Sequence, residues 1–180
     1  MKIAVIGYSG SGKSTMSRQL GRVYNLPVLH LDTAQFLTDW QERDTEEAQA
    51  IVNKFLENNG WVIDGNYRKF YLERRISEAD KIVFFNFNRL TCFLQAYERY
   101  KAYKGKTRPD MANGCNEKLD YEFIKWLLIS GRNKEQRIYF KKIIEKYPQK
   151  MIILTNRRQA EEYFNSIINQ KVILDSLKER

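Results

Sequence analysis

Residues 7 to 14 read Gly7-Tyr8-Ser9-Gly10-Ser11-Gly12-Lys13-Ser14, which fits the pattern G-x-x-x-x-G-K-[ST] at every fixed position. A loop of this kind bends so that successive backbone N–H groups converge on phosphate oxygens, and glycine permits both the bend and the close approach. An apolar run at 3–6 precedes it and a helical pattern follows, which is the context that the motif requires. The stretch therefore predicts binding of a nucleoside triphosphate.

Within this loop the residue types predict separate tasks. Lys13 places a positive charge at the β- and γ-phosphates, and Ser14 offers its hydroxyl to Mg²⁺. The helix that begins there points its N-terminal dipole at the same anion. We expect the nucleotide, ATP, to contact Gly7, Tyr8, Ser9, Gly10, Ser11, Gly12, Lys13, Ser14 and Thr15.

Short apolar runs alternate with longer segments of helical spacing along the rest of the chain. The runs lie at 3–6, 28–31, 61–63, 82–87 and 151–154, and the helical segments at 13–25, 45–59, 68–78, 89–104, 117–131, 133–147 and 157–169. Continuous apolar runs are typical of strands that are buried on both faces of a parallel sheet. The pattern predicts an α/β fold, a three-layer sandwich with a five-stranded parallel sheet.

One polar segment, 105–116, separates two long helical segments and contains Gly105, Pro109 and Gly114. Its length and composition favour a mobile flap over a second domain. We therefore predict a single domain over 1–180, with a small helical, lid-like insertion at 99–137.

Composition narrows the class of protein further. The 180 residues are 43% hydrophobic and 29% charged, and no apolar run approaches the length of a signal peptide or a membrane span. Cys92 and Cys115 stand far apart, which argues against a zinc site and a disulfide framework. We expect a reduced, cytoplasmic protein with no membrane partner. The net charge of +9 suits an anionic partner, but nucleotides and nucleic acids are both anionic.

A second informative stretch follows the third apolar run, where residues 61–68 read Trp-Val-Ile-Asp-Gly-Asn-Tyr-Arg. An apolar strand that ends in Asp64 places a carboxylate beside the phosphate loop, where it can order Mg²⁺ through water. The alternative is that Asp64 and Gly65 form an ordinary surface turn. We favour the metal role, with Ser14 and Asp64 as the metal-binding residues.

Together these stretches resemble the adenylate-kinase-like group of P-loop nucleotide kinases. Residues 64–68 resemble their Asp-Gly-Phe-Pro-Arg motif, with Asn66 and Tyr67 in place of Phe and Pro. A closer resemblance is to the FlaR-type family, which is named for DNA topology modulation. The motifs that carry it are residues 7–15, His30-Leu31-Asp32, residues 61–68, Thr107-Arg108-Pro109-Asp110-Met111, and Gly114-Cys115-Asn116-Glu117-Lys118-Leu119-Asp120. The resemblance implies a P-loop sheet with the strand order 2-3-1-4-5.

The resemblance also implies roles on the acceptor side. In related small-molecule kinases a carboxylate at the position of Asp32 receives the acceptor hydroxyl or its proton, and Arg68 aligns with an arginine that contacts an acceptor's phosphate. The alternatives are a helix N-cap for Asp32 and a solvated helix residue for Arg68. His30, the single histidine, lies in an apolar strand and is expected to be a packed, hydrogen-bonded core residue, with a catalytic base as the alternative.

Arginines in and around the insertion are candidates for contact with phosphates. Phosphoryl transfer spreads negative charge over the moving group, and a flap that closes over it also excludes water. We expect two of four arginines to touch phosphates: Arg99 and Arg137 as first choices in catalysis, with Arg108 and Arg132 toward the substrate. Any one of them could instead lie on a solvated helix face.

After the last strand, Asn156 and Arg157 are predicted to border the adenine, unless they form an ordinary strand-to-helix turn. Thr155 or Asn156 is expected to cap the following helix.

The leading function is a Mg²⁺-dependent kinase that moves the γ-phosphate of ATP onto a small acceptor, a nucleotide or nucleoside. The alternative is an ATP-binding, nucleic-acid-associated regulator, which the basic run of residues 99–108 and the resemblance motivate, although no nucleic-acid-binding motif is visible. A third possibility is hydrolysis by water. The acceptor and the oligomeric state stay open, and the lack of a guanine-reading Asn-Lys-x-Asp motif favours ATP.

Overall fold

Five parallel strands form one sheet in the order β2-β3-β1-β4-β5, as predicted. The strands are β1 (Lys2–Gly7), β2 (Val28–His30), β3 (Trp61–Asp64), β4 (Lys81–Phe85) and β5 (Met151–Leu154). The computed structural model describes residues 1–178, with the side chains of 174, 175 and 178 excepted. Residues 179 and 180, the end of the predicted domain, lie outside the described residues.

Helices pack around this sheet. They are α1 (Lys13–Tyr24), α2 (Leu31–Gln35), α3 (Thr45–Leu56), α4 (Leu72–Glu78), α5 (Arg89–Tyr103), α6 (Tyr121–Leu128), α7 (Lys134–Lys146) and α8 (Arg157–Lys178), with 3₁₀ turns at Thr38–Trp40, Ser130–Arg132 and Pro148–Lys150. Every predicted helical segment contains a helix, but α2 was not predicted. The second apolar run therefore ends as a strand at His30, one residue earlier than expected.

Side chains at helix starts explain several of these boundaries. Asp44, Asn88, Asp120 and Asn133 each accept a hydrogen bond from a backbone N–H of the first turn of α3, α5, α6 and α7. The cap at Asp120 is why the helix that was predicted from 117 begins at 121. At α8, the Oδ1 of Asn156 accepts from the N–H of Gln159 at 2.9 Å, so Asn156 is the capping residue of the two candidates.

The core follows the order of the strands. Strands β1, β3 and β4 lie in the middle of the sheet and are buried almost throughout, whereas β2 and β5 form its edges and are only partly buried. A central strand is covered by helices on both faces, and this coverage is why the apolar runs are continuous and do not alternate.

Strand register brings the predicted site residues to one edge of the sheet. Gly7 pairs with Phe85, and the last residue of β3, Asp64, pairs with Val5 on one side and His30 on the other. The carboxyl ends of parallel strands meet at the same edge, which is where open α/β folds bind ligands.

The segment 105–116, here called the flap, is folded against the domain. Isolated bridges join Thr107 to Asn116 and Lys104 to Glu117. Its far end is attached to the 3₁₀ turn after α2, since the Sγ of Cys115 donates to the carbonyl of Leu37 at 3.0 Å. The lid function of 99–137 stays a prediction.

Two findings bear on the expectations that were drawn from composition about the cysteines and about a membrane span. Both cysteines are buried free thiols. Among residues 1–178, no helix combines the length and the apolar character that a membrane crossing requires.

Candidate active site

A cavity of about 1030 Å³ opens at the carboxyl edge of the sheet, between the phosphate loop, the flap and the first turn of α8. Of the predicted site residues, the cavity is lined by Tyr8, Ser9, Gly10, Ser11, Gly12, Lys13, Ser14, Thr15, Asp32, Asp64, Arg99, Arg108, Arg132 and Arg157. Four predicted residues do not line it: Gly7, Arg68, Arg137 and Asn156. The fold thus gathers most of the predicted site from seven separate stretches of chain.

Glycine is required at two positions of the phosphate loop for steric reasons. A Cβ on Gly7 would lie 2.3 Å from the carbonyl oxygen of Phe85, and one on Gly10 would lie 2.5 Å from that of Cys92. Both residues also have positive φ, at 135° and 75°. Glycine at position 7 therefore allows the phosphate loop to leave β1 while its backbone packs closely against Phe85 of β4.

Lys13 points back over its own loop. Its Nζ donates a hydrogen bond to the carbonyl of Tyr8 at 2.9 Å, and the Oγ of Ser11 donates to the same carbonyl at 2.6 Å. Burial lowers the pKa of Lys13, while the carboxylates of Asp64 and Asp32 act in the opposite direction. A lysine in this position is already aimed at the anion that the loop is shaped to receive.

Asp64 ends β3 with its side chain buried beside His30. The Oδ2 of Asp64 and the Nδ1 of His30 are 3.1 Å apart. Neither atom has another hydrogen-bond partner among the described residues. Burial alone would lower the pKa of His30, but the hydrogen bond and charge of Asp64 outweigh it, so the pKa is raised. His30 is thus a packed core histidine with Asp64 as its polar partner, as expected.

The metal prediction fits this geometry. Ser14 and Asp64 both line the cavity, and their hydroxyl and carboxylate groups are the hard oxygen donors that Mg²⁺ prefers. Among residues 1–178 no cluster of three or more His, Cys, Asp or Glu could hold a metal on its own. A site with few protein ligands is the usual one for Mg²⁺ that is shared with substrate phosphates.

The loop after β3 is joined to the phosphate loop through Asn66. Its Nδ2 donates to the carbonyl of Gly7 at 2.6 Å, and its Oδ1 accepts from the Gly7 N–H at 3.0 Å. The substitution of Asn66 for the Phe of the adenylate kinase motif therefore has a structural role here. It pairs both backbone groups of the first motif glycine.

Arg75 also holds the loop after β3 in place. This arginine is fully buried and donates to the carbonyls of Gly65, Tyr67 and Phe70 at 3.1, 2.9 and 2.8 Å. Burial lowers the pKa of Arg75 to about 10. Its clamp keeps 65–70 in a turn, and for that reason the helix predicted from 68 begins only at Leu72.

Asp32 lies at the cavity wall with a defined partner. Its Oδ1 accepts a hydrogen bond from the hydroxyl of Tyr67 at 2.7 Å. Burial raises the pKa of Asp32, and the hydrogen bond from Tyr67 opposes that rise. Burial and the neighbouring Asp32 also raise the pKa of Tyr67, which keeps the phenol protonated as the donor. The N-cap alternative for Asp32 is wrong, because α2 begins one residue earlier and His30 is its N-cap.

Five charged side chains form a continuous row of ion pairs that runs from α1 through the flap to α5. Asp110 accepts from Arg18 at 3.0 Å and from Arg108 at 2.5 Å. Glu117 in turn lies 2.5 Å from Arg108 and 2.8 Å from Arg99. Both carboxylates are buried, and the positive charges of Arg108 and Arg18 overcome the effect of burial to lower the pKa of Asp110. Arg99 and Arg108 thus line the cavity as partners of buried carboxylates.

On the opposite wall, Arg132 lies over the phosphate loop. Its guanidinium stacks 3.7 Å above the ring of Tyr8, and its Nη2 donates to the Sγ of Cys92 at 3.0 Å. The Nε1 of Trp126 donates to the Oγ of Ser9 at 3.3 Å. Arg137 is exposed outside the cavity, because α7 turns Gln136 inward at this level.

Two further predicted residues face away from the cavity. Arg68 is exposed, and its guanidinium stacks 4.0 Å from the ring of Tyr139, so the structure does not bring it to the acceptor side. Asn156 is occupied as the cap of α8. Its neighbour Arg157 does line the cavity, where it also pairs with Glu161 at 3.0 Å.

Several cavity residues were missed at the level of sequence. They are Arg18, Tyr67, Asp110, Glu117 and Trp126. Tyr67, Asp110 and Glu117 belong to motifs that carried the family resemblance, and this was the available signal. For Arg18 the signal is its helical spacing of four residues from Ser14.

Comparison with known proteins supports the fold and leaves the family open. No family model matches the chain, and no curated protein matches its sequence. The shikimate kinase from Acinetobacter baumannii, solved in complex with shikimate, superposes with a TM-score of 0.56 at 14% identity, covering 97% of this chain and 93% of that one. The fold is that of the P-loop kinases.

A second solved structure, an uncharacterized protein from Eubacterium ventriosum, superposes with a TM-score of 0.52 at 16% identity over 95% of this chain and 98% of that one. At such identities the likeness concerns the P-loop kinase fold alone. The closer resemblance to the FlaR-type family stays a prediction.

Proposed function

We propose that this chain is a Mg²⁺-dependent kinase that transfers the γ-phosphate of ATP to a hydroxyl of a small acceptor, a nucleotide or nucleoside. One observation carries the proposal: the Asp32 carboxylate, oriented by Tyr67, lines the same cavity as Lys13 and Asp64. A donor cradle and a candidate base that share one cavity are what phosphoryl transfer to a hydroxyl requires. The P-loop kinase fold is consistent with this activity.

The donor half binds and orients the triphosphate. Backbone N–H groups of the phosphate loop and the Nζ of Lys13 hold the phosphate oxygens. Ser14 and Asp64 would hold Mg²⁺, which, when bound, neutralises charge on the phosphates. Asn66 keeps the loop in place by pairing with Gly7.

The acceptor half supplies the proton acceptor. The hydroxyl oxygen of the acceptor forms a new bond to the γ-phosphorus as the bond from that phosphorus to the β-bridging oxygen breaks. The hydroxyl proton passes to the carboxylate of Asp32 and then to solvent, while ADP leaves. Burial raises the pKa of Asp32, which makes the carboxylate a better base than an exposed aspartate.

Arginines complete the site by stabilising charge in the transition state. Arg132 lies over Tyr8 of the phosphate loop, and Arg99 and Arg108 line the cavity from the flap side. Preorganised positive groups of this kind act without reorganisation when charge moves. The flap that carries Arg108 would also exclude water, which would otherwise compete with the acceptor for the γ-phosphate.

The basic run that motivated a nucleic-acid regulator does not form one exposed surface. Arg99 and Arg108 turn into the cavity and pair with Glu117, so the exposed cations between them are lysines. No feature of the described residues favours that second function over the kinase.

The test is ATP consumption, followed as ADP formation, against a panel of nucleosides, nucleotides and other small hydroxyl compounds. We expect ADP formation to depend on one acceptor class and to fall to background without it. Equal phosphate release in the presence and absence of every acceptor would identify a hydrolase and contradict the proposal. A parallel assay with Asp32→Asn separates acceptor chemistry from background hydrolysis.

A further inference from the structure

A strained corner of the chain holds an aromatic side chain at the acceptor end of the cavity. Residues 36–42 turn back on themselves, and both Asp39 and Trp40 have positive φ, at 56° and 62°. Left-handed backbone is unfavourable for residues with a Cβ and persists only where the surroundings enforce it. Here the surroundings are the flap: the Nε1 of Trp40 donates to the carbonyl of Asn116 at 2.9 Å.

Trp40 belongs to an aromatic wall beside the candidate base. Its ring meets that of Phe36 in an edge-to-face contact, with centroids 5.4 Å apart. Phe36, Trp40 and Tyr67 all line the cavity together with Asp32, to which Tyr67 donates. Aromatic side chains in such arrangements bind planar, largely apolar groups well.

The charges on this side of the cavity argue against an anionic acceptor. Asp32 lines it, and an acceptor phosphate placed against Asp32 would meet a carboxylate of like charge. The arginine predicted for an acceptor phosphate, Arg68, stacks on Tyr139 outside the cavity. Arg18 and Arg108, which line the cavity, share the buried carboxylate of Asp110, and this carboxylate offsets part of their charge toward an acceptor phosphate.

The proposed role of Asp32 as a proton acceptor also favours an uncharged acceptor. A phosphate acceptor is already ionised at neutral pH and needs no proton acceptor, whereas a hydroxyl acceptor does. Asp32 with its Tyr67 donor is suited to the second task. Lys118, a cation that contacts the aromatic wall, has its Nζ 5.1 Å from the centre of the Trp40 ring, and its side chain is more than half exposed.

Resting on the kinase activity proposed above, we infer that the acceptor is an uncharged molecule with a planar ring and a free hydroxyl, of the nucleoside class, and that Trp40 selects it. Trp40 packs against the ring, Asp32 takes the hydroxyl proton, and the flap contact at Asn116 keeps Trp40 in place. The neutral nucleoside is then preferred over its own monophosphate.

The experiment compares three matched sets of acceptors with the wild-type chain and Mg-ATP. The first set is adenosine, cytidine and thymidine; the second is their 5′-monophosphates; the third is ribose, which has hydroxyls but no planar ring. ADP formation gives kcat/KM for each compound. We expect the nucleosides to exceed both other sets by about 10-fold or more.

Variants of Trp40 then test the selecting residue. Trp40→Ala should lower kcat/KM for the nucleosides by about 10-fold, while Trp40→Phe, which keeps a ring and loses the bond to Asn116, should retain more of it. ATP affinity, measured by calorimetry, should stay unchanged in both and report that the fold is intact. Tyr121→Ala removes an exposed aromatic that lies outside the cavity and serves as the matched control.

Each outcome decides the inference separately from the kinase activity. Preference for the monophosphates or for ribose overturns the neutral planar acceptor and leaves the kinase standing. The same holds if none of the three sets is accepted while another compound of the wider panel is. If no compound stimulates ADP formation, both proposals fail. Nucleosides that are accepted equally by the wild type and by Trp40→Ala overturn the role of Trp40.

Discussion

The two halves of the cavity are built in different ways. On the donor side, the phosphate loop positions its own side chains: Ser11 and Lys13 donate to the carbonyl of Tyr8, three and five residues away. Asn66 and Trp126 then support this loop from 59 and 117 residues away. On the acceptor side, the contacts join distant parts of the chain. Tyr67 and Asp32 are 35 residues apart, Trp40 and Asn116 are 76 apart, and Arg18 and Asp110 are 92 apart.

This difference explains what a short motif can and cannot carry. A loop in which Ser11 and Lys13 are positioned by a carbonyl within five residues is recognisable from one contiguous pattern, so it can be predicted directly from the sequence. A wall assembled from α2, the loop after β3 and the flap exists only in the folded chain. The donor side can therefore be predicted from a motif, whereas on the proposed function the acceptor side would carry the specificity of this chain.

The first way to break the comparison is to remove the candidate base. Asp32→Asn should lower kcat by about 10²- to 10⁴-fold, because general base catalysis contributes on that order. Affinity for ATP should stay within about 2-fold of the wild type, because Asp32 belongs to the acceptor half. Steady-state kinetics and calorimetry measure the two. Loss of ATP affinity in this variant would mean that the halves are not separate.

The converse change acts on the donor half. Lys13→Ala should reduce ATP affinity by about 100-fold or more, since a charge-assisted hydrogen bond to phosphate contributes ~1.5–3 kcal/mol and a charge is lost as well. The circular dichroism spectrum and the melting temperature should be retained. Lys54→Ala, at an exposed position of α3, is the control. Undiminished ATP binding by Lys13→Ala would show that the phosphate-loop assignment is wrong.

Two arginines, Arg132 over the phosphate loop and Arg137 outside the cavity, are expected to differ in their contribution to catalysis. Arg132→Ala should lower kcat by about 10-fold, because a group that stabilises transition-state charge is lost. Arg137→Ala should leave kcat within about 2-fold of the wild type, because its side chain is exposed outside the cavity. Since Arg132 is buried, its variant needs a thermal melt to confirm folding. Equal losses in both variants would imply that α7 moves when substrates bind.

The smallest expected effect concerns the hydrogen bond between Tyr67 and Asp32. This bond holds the pKa of Asp32 down against burial. Tyr67→Phe should therefore raise that pKa, so that deprotonation of the base requires a higher pH. The acidic limb of kcat/KM should move to higher pH, with a loss of roughly 3-fold in kcat at neutral pH from poorer orientation. A pH–rate profile tests it, and an unmoved acidic limb would exclude Asp32 as the titrating base.

Sequence reasoning recovered the parts of the structure that depend on local pattern. The parallel sheet and the phosphate loop follow from apolar runs and one motif, and the strand order follows from the family resemblance. The corner at residues 36–42 could not be predicted, because Asp39 and Trp40 adopt left-handed backbone that neither residue type favours. The flap imposes that geometry from far along the chain.

The orientation of the Arg68 side chain likewise could not be predicted from the sequence. A motif alignment places it beside the acceptor, but the clamp of Arg75 on three carbonyls turns residues 65–70 so that Arg68 meets Tyr139. A buried arginine that donates only to backbone has no sequence pattern of its own. The prediction that Arg137 contacts phosphate is not supported for a simpler reason. Adjacent residues on a helix point in directions about 100° apart, and on α7 it is Gln136 that lines the cavity.

The double hydrogen bond between Asn66 and Gly7 has a thermodynamic consequence. It joins the loop that carries Tyr67 to the first residue of the phosphate loop, so any displacement of one backbone by its substrate is transmitted to the other. Linkage then requires reciprocity: the factor by which ATP changes the affinity for the acceptor equals the factor by which the acceptor changes the affinity for ATP. On the proposed function, the side chain of Asn66 would therefore couple the binding of the two substrates.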